Sequence, residues 1–217
     1  MARSPQPSVL ITGFGPFPGV PANATGRIVP QLVASARRRF PAVSFATAIL
    51  PTEWAAAPAV LGRHLVRTRP HVALHFGVSR EARGFVVETL GRNHCRDSID
   101  AAGLRPRSGC ISAGGAETHA VSLPVEAIVE RLAAAGHPVR LSDDAGSYLC
   151  NAILYHSLCH AAAAAPQRMT GFIHVPADLD GPETGLTLSG AIAGGLESLA
   201  ACPDAPRTAV RPRPGSC

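Results

Sequence analysis

Short apolar runs alternate along this chain with longer stretches of helical periodicity, and this alternation limits the possible folds more than any other feature. Apolar runs of this length are typical of buried strands. The strands are predicted at residues 8–12, 43–50, 71–77, 84–90, 139–142 and 170–175, and the helices at 25–39, 53–67, 124–135, 147–165 and 186–201. Such alternation favours an α/β fold in which a mostly parallel, twisted sheet carries helices on both faces.

The length of 217 residues fits a single domain of this kind. We predict one three-layer α/β/α domain over residues 1–202 and a disordered tail over residues 203–217, where Pro and Arg dominate. Residues 91–117 contain several glycine turns and no strong period. Because a structureless loop of this length is unusual in a compact domain, we expect this segment to fold over a site.

All 20 basic residues are arginines, and this excludes two kinds of chemistry. Without lysine the chain can form neither the Schiff base of pyridoxal enzymes nor the Walker A contact to a nucleotide. The net charge of +5 falls partly on residues 37–39 and partly on the tail, and aromatic residues make up only 5%. Nucleic-acid surfaces pair a basic stripe with aromatic or groove-reading elements, so nucleic acid is not an expected partner.

The expected location is the cytoplasm, with no membrane partner. No apolar run approaches the roughly 18 residues that cross a bilayer, and the N-terminus lacks the pattern of a signal peptide. Six cysteines are present without any Cys-x-x-Cys pair, so neither a zinc site nor disulfides are expected. The open question is whether one of these cysteines is a nucleophile.

Three side chains occupy positions that suit nucleophilic catalysis. Cys150 lies at the start of a predicted helix, His174 near the end of an apolar strand before Pro176, and Glu88 within another apolar strand. The first turn of a helix favours a thiolate, and an imidazole beside an acid can act as its base. Each residue also has a structural interpretation: Cys150 and His174 as core residues, and Glu88 as a solvated side chain at a sheet edge.

A loop rich in glycine and proline follows the first strand. It has no dinucleotide-binding pattern, because Pro18 stands where a Gly-x-Gly-x-x-Gly motif starting at Gly13 needs its third glycine. The loop offers two rings, Phe14 and Phe17. Both are either core side chains or an apolar wall for a small flat ligand.

Several segments together resemble pyroglutamyl peptidase type I, a family of cysteine peptidases also called pyrrolidone-carboxylate peptidases. The segments are spread over residues 8–200 in the family's order, and all three asparagines of the chain fall within them. They are Val9–Gly19 with Asn23 after it, Leu50-Pro51-Thr52, Glu88 with Asn93 five residues later, Leu123–Ile128, Ala145-Gly-Ser-Tyr-Leu-Cys-Asn151 and Gly171-Phe-Ile-His-Val-Pro176.

The resemblance implies a thiol peptidase that removes N-terminal pyroglutamate from peptides, without a metal or an organic cofactor. Cys150 corresponds to the nucleophile, His174 to its base and Glu88 to the acid that orients the imidazole. The resemblance further implies self-association, as a dimer or a tetramer. The residues that correspond to the substrate pocket are Phe14, Phe17, Asn23, Tyr148 and Leu149.

The segment before the acid departs from the family pattern, and this keeps the identity of the acyl group open. It reads Gly77-Val-Ser-Arg80 where Gly-Gly-Arg is common, and Thr89 follows the acid where Arg is frequent. One alternative is a thiol hydrolase that acts on another N-terminal acyl or lactam group. Two others are a non-catalytic homologue that binds peptide N-termini and a different enzyme on a similar sheet, such as a nucleoside phosphorylase.

Overall fold

The computed structural model describes residues 6–164, 168–181 and 184–202, so the predicted tail over residues 203–217 lies outside the described residues. The described chain contains eight strands and five helices. The strands are β1 (Ser8–Phe14), β2 (Ser44–Leu50), β3 (Val72–Ser79), β4 (Phe85–Glu88), β5 (Leu90–Arg92), β6 (Thr118–Ala120), β7 (Val139–Ser142) and β8 (Met169–Pro176). The helices are α1 (Thr25–Arg39), α2 (Ala56–Thr68), α3 (Val125–Ala134), α4 (Leu149–Ala164) and α5 (Leu188–Ala201).

Six strands form one sheet in the order β2-β1-β3-β8-β4-β7. The first four strands in this order are parallel to one another, which confirms the mostly parallel sheet. β4 instead pairs antiparallel with β8, and β7 runs parallel to β4. Only residues 80–84 join β3 to β4, too few for the crossover of a dozen or more residues that a parallel return needs. One edge of the sheet therefore runs opposite to the rest.

Apolar side chains cover both faces of this sheet, which confirms the three-layer arrangement. On one face Ile28 of α1, Ile128 of α3 and Leu199 of α5 belong to a single buried cluster. On the other face Leu61 of α2 and Ile153 of α4 form a second cluster with the strands. Full burial of each such side chain contributes about 1.5–3 kcal/mol to stability. None of the described helices combines the length and apolar character needed to cross a membrane.

The segment between β5 and β6 is ordered by its own side chains. The two strands pair antiparallel, and Asn93 follows β5 directly. Its carboxamide oxygen accepts hydrogen bonds from the N–H groups of Ile111 and Ser112 at 2.9 and 2.8 Å, and its nitrogen donates to the Ser112 carbonyl at 2.8 Å. The Tyr148 hydroxyl donates to the Ile99 carbonyl at 3.1 Å, so the segment contacts the loop before α4.

A buried histidine joins strands β1 and β3 to α4. His75 of β3 is fully buried, with Nδ1 2.7 Å from the Thr12 hydroxyl on β1 and Nε2 2.8 Å from the Ser157 hydroxyl on α4. Burial lowers the pKa of His75 to about 3. The imidazole therefore remains neutral in the folded protein, where one ring nitrogen accepts and the other donates.

We expect His75 to make the protein sensitive to acid. Its pKa is about 3 when folded and about 6.5 when unfolded, so its contribution to stability is complete above pH 6.5. Below that pH the unfolded chain binds the extra proton, and about 1.4 kcal/mol is lost per pH unit until the pH approaches 3. Urea unfolding measures the free energy of unfolding at about pH 6.5 and at about pH 5. Between these two pH values the wild type should lose about 2 kcal/mol more of this free energy than His75→Gln does. The control is His94→Gln, at an exposed site. The expectation is contradicted if the wild type and His75→Gln lose equal free energy of unfolding, or if His94→Gln differs from the wild type as much as His75→Gln does.

Candidate active site

Cys150 is the second residue of α4, close to the helix N-terminus. The turn before the helix includes Gly146 at φ +79°, and the Asp144 carboxylate accepts a hydrogen bond from the Gly146 N–H at 2.9 Å. Asn151 ties the helix start to β5, since its side chain accepts from the Arg92 N–H at 2.9 Å and donates to the Arg92 carbonyl at 2.8 Å. The thiol therefore lies on a rigid turn, next to N–H groups that have no partner within the helix.

The Cys150 sulfur lies directly over the backbone of β3. A Cβ atom at Gly77 would be 2.9 Å from this sulfur and 2.6 Å from the Phe172 ring, closer than side chains tolerate. Only a residue without a side chain leaves this space for the thiol. Gly77 is paired in register with His174 on β8. The sulfur above Gly77 and the imidazole of His174 are therefore on adjacent strand positions.

His174 and Glu88 form a buried pair on neighbouring strands. The distance from His174 Nδ1 to Glu88 Oε1 is 2.7 Å, and the two residues are only 7% and 1% exposed. Their partnership follows from the antiparallel pairing of β4 with β8, in which Val86 lies opposite His174. Glu88 therefore reaches the imidazole from a strand that runs opposite to β8, which the alternation of strands and helices alone did not predict.

The charge of the imidazole depends on both neighbours. Burial by itself lowers the pKa of His174. The Cys150 sulfur and the Glu88 carboxylate each raise this pKa, both through charge and through a side-chain hydrogen bond. Together they raise it by more than burial lowers it. The net result is a pKa of about 9. At neutral pH the geometry thus favours an imidazolium at His174, with Nδ1–H directed to Glu88.

These residues line a cleft of about 570 Å³. Phe14 is buried at the end of β1 and packs on Phe172, with ring centroids 6.4 Å apart. Phe17 and Tyr148 face each other at 6.2 Å, and Trp54 meets Tyr148 edge-on at 5.1 Å. The sequence offered a core or a wall interpretation for the two phenylalanines, and the structure gives Phe14 both positions, since it is buried and borders the cleft.

The remaining predicted pocket residues also border the cleft, but in different ways. Leu149 is buried in the core beneath it. Asn23 organises the loop after β1: its Oδ1 accepts from the Thr25 N–H at 3.1 Å and the Thr25 hydroxyl at 2.8 Å, while Nδ2 donates to the Gly15 carbonyl at 3.1 Å. This side chain therefore shapes the loop that carries Phe17.

Other cleft residues were not identified as site residues from the sequence. The Thr52 hydroxyl donates to the Gly15 carbonyl at 3.0 Å, and Arg96 lies over the Tyr148 ring at 5.5 Å. Arg140 borders the cleft from strand β7. Thr52 falls in the Leu-Pro-Thr segment of the resemblance, which is a signal that could have found it, whereas isolated arginines carry no local pattern.

Comparison with known proteins agrees with this geometry. The family model described as pyroglutamyl peptidase matches residues 7–181. The pyrrolidone-carboxylate peptidase of Pyrococcus furiosus is 32% identical over 169 residues, which cover 77% of this chain and 80% of that protein. Pyrrolidone-carboxylate peptidase 1 of Ralstonia nicotianae is 34% identical over 175 residues, 79% of each chain.

The solved structures show the same similarity in three dimensions. A variant of pyrrolidone carboxyl peptidase from Pyrococcus furiosus superposes with a TM-score of 0.82 at 26% identity. The superposition covers 90% of this chain and 97% of the other. Because the family model and the relatives each account for more than three quarters of the sequence, this chain belongs to the pyroglutamyl peptidase family.

Proposed function

We propose that this protein is a cysteine peptidase that hydrolyses the bond after an N-terminal pyroglutamyl residue of a peptide. Cys150 is the nucleophile, His174 the general acid and base, and Glu88 the group that orients and stabilises the imidazole. The observation that carries this proposal is the buried 2.7 Å contact between His174 and Glu88 beside a thiol at a helix N-terminus.

The first half of the reaction forms a thioester. The Cys150 thiolate attacks the pyroglutamyl carbonyl carbon, and the carbonyl oxygen becomes an oxyanion. The N–H of Cys150 and its neighbours in the first turn of α4 are placed to receive that charge, and one such donor contributes about 3–4 kcal/mol. The C–N bond then breaks, and the imidazolium of His174 gives its proton to the leaving amine.

The second half releases pyroglutamate. The imidazole, now neutral, takes a proton from a water molecule while the water oxygen attacks the thioester carbonyl. The C–S bond breaks, and the Cys150 thiolate and the His174 imidazolium are restored. Throughout the cycle the Glu88 carboxylate accepts the Nδ1–H hydrogen bond, which keeps Nε2 directed at the sulfur and favours the charged ring.

The cleft suits a neutral lactam ring. Pyroglutamate has no free amine, so its pocket needs no carboxylate to bind an ammonium group. Phe14, Phe17 and Tyr148 border the cleft with apolar faces that a flat five-membered ring can contact. A pocket whose polar groups pair with the lactam N–H and C=O rejects proline, since the proline ring lacks the carbonyl and leaves buried groups unpaired.

A panel of N-terminal acyl groups on a common fluorogenic amine tests this assignment. We expect hydrolysis of the pyroglutamyl amide, with kcat/KM at least about 100-fold above that of the prolyl amide. Iodoacetamide treatment should abolish this activity. Turnover of another acyl or lactam amide in preference to the pyroglutamyl amide contradicts the substrate assignment, and binding without turnover contradicts the enzymatic one.

Peptides are the substrate class in this proposal. A homodimer or homotetramer and a cytoplasmic location remain predictions, and sedimentation of the purified full chain together with cell fractionation checks them.

A further inference from the structure

A single row of residues crosses the sheet from the nucleophile to the edge strand. Gly77 of β3, beneath the Cys150 sulfur, is paired with His174 of β8. His174 is paired with Val86 of β4, and Val86 with Arg140 of β7. Paired residues project from the same face of a sheet. Cys150, His174, Val86 and Arg140 all border the same cleft.

The order of residues in this row sets the direction in which a bound peptide crosses the sheet. The aromatic residues that suit the pyroglutamyl ring lie at the β1 end, on one side of the sulfur, and His174 lies on the other side. The inference rests on the proposed function, in which His174 protonates the leaving amine. The amine must therefore face β8, and the peptide that follows it extends over Val86 toward β7.

The strand spacing brings the side chain of Arg140 within reach of the first residue after the scissile bond. Neighbouring strands are about 4.8 Å apart, so the backbone of β7 lies about 10 Å from that of β8. An extended residue spans about 3.5 Å, which brings the first leaving residue part of the way across this gap. The long side chain of Arg140 covers the rest, and Val86 between them is an apolar floor with no competing charge.

The guanidinium of Arg140 has no acidic partner in the described part of the chain. Its one hydrogen bond runs from Nη1 to the Leu141 carbonyl at 3.5 Å, and the residue is exposed on an edge strand. The nearby acid Asp143 pairs with Arg92 at 3.3 Å, and the Asp144 carboxylate accepts from the Gly146 N–H within its own turn.

The other charges of the cleft leave a positive balance on its open side. Arg80 and Arg96 border the cleft together with Arg140, against the exposed carboxylates of Glu81 and Asp144. Arg80 donates to the Gly19 carbonyl at 2.9 Å and Arg96 lies over Tyr148, so both have neighbours that position them on the aromatic side. Arg140 is the arginine that faces the leaving side.

We propose that Arg140 determines specificity for the leaving group, by binding a carboxylate carried on the first residue after the scissile bond. The carboxylate comes either from the C-terminus of a pyroglutamyl dipeptide or from an acidic side chain at that position. A guanidinium presents donors that match a carboxylate, and a partly exposed pair of this kind discriminates modestly and loses strength with salt.

Two matched pairs of substrates test this with the full-length protein. One pair is pyroglutamyl-alanine and its C-terminal amide, and the other is pyroglutamyl-aspartyl amide and pyroglutamyl-asparaginyl amide. At low ionic strength we expect kcat/KM to favour the carboxylate by about threefold to tenfold in at least one pair, mainly through KM. The pair that shows the preference identifies the source of the carboxylate. Salt at about 0.5 M should reduce the preference.

Variants separate this contact from the overall charge of the protein. Arg140→Gln should bring the preference below about twofold, and Arg140→Glu should reverse it. Arg63→Gln removes the same charge from the exposed surface of α2 and should retain the preference. Hydrolysis without a carboxylate preference, or a preference that survives in Arg140→Gln, overturns this inference alone. Failure to hydrolyse any pyroglutamyl substrate overturns it together with the proposed function.

Discussion

Replacement of Cys150 by serine is expected to lower kcat for a pyroglutamyl amide by about 10⁴-fold or more. The substitution keeps the shape of the side chain at the start of α4, but a hydroxyl is not ionised at neutral pH and is a much weaker nucleophile. It also removes the sulfur that raises the pKa of His174. Single-turnover and steady-state assays with a fluorogenic pyroglutamyl amide measure the loss, and circular dichroism checks that the variant is folded.

Cys159 provides a matched control for this prediction. It lies nine residues further along the same helix, and burial raises the pKa of its thiol. Cys159→Ser should therefore retain full activity and remain sensitive to iodoacetamide. A Cys150→Ser protein with more than about a tenth of wild-type activity would show that the nucleophile is elsewhere.

Replacement of Glu88 by glutamine is expected to lower kcat by about 10³-fold, with KM changed far less. The glutamine keeps the size of the side chain and can still accept from His174 Nδ1–H, but it has no charge to stabilise the imidazolium. The effect reaches the reaction through the orientation and charge of His174, because Glu88 is 1% exposed and its near oxygen is 2.7 Å from the ring. A pH profile of kcat/KM should shift its alkaline limb to lower pH, as the charge that raises the pKa of His174 is removed.

Glu130 serves as the control for the loss of one negative charge. It is exposed on α3, and Glu130→Gln should leave the pH profile in place. If Glu88→Gln changed stability but neither kcat nor the pH profile, the carboxylate would be a purely structural partner of His174.

Much of the fold was predictable because local patterns determine single elements. The bounds of α1 and β7 agree with the predicted ranges 25–39 and 139–142, and the three-layer arrangement follows from alternation of strands and helices. The direction of β4 did not follow, since apolar periodicity is the same for parallel and antiparallel strands. The short pair β5 and β6 was also missed, because three-residue strands leave no periodic pattern.

The site was predictable where a residue type itself limits the chemistry. A thiol at a helix start and a histidine close before a proline are visible in the sequence. In the structure the thiol lies over Gly77, and the histidine is paired with Gly77 on the neighbouring strand. The contact of His174 with Glu88 joins residues 86 positions apart, so it depends on strand order and on the reversed β4. Arg140 lay outside prediction for the same reason, since its position relative to His174 is set by two strand pairings.

The titration of His174 tests the central claim most directly, since that claim places one imidazole between a sulfur and a carboxylate. NMR of labelled histidines follows all nine, and His174→Gln identifies the resonance. We predict a midpoint near pH 9 in the wild type and a lower midpoint in Cys150→Ser, where the sulfur no longer offsets the effect of burial. A midpoint at or below about 6.5 that does not respond to the Cys150 substitution would contradict the account.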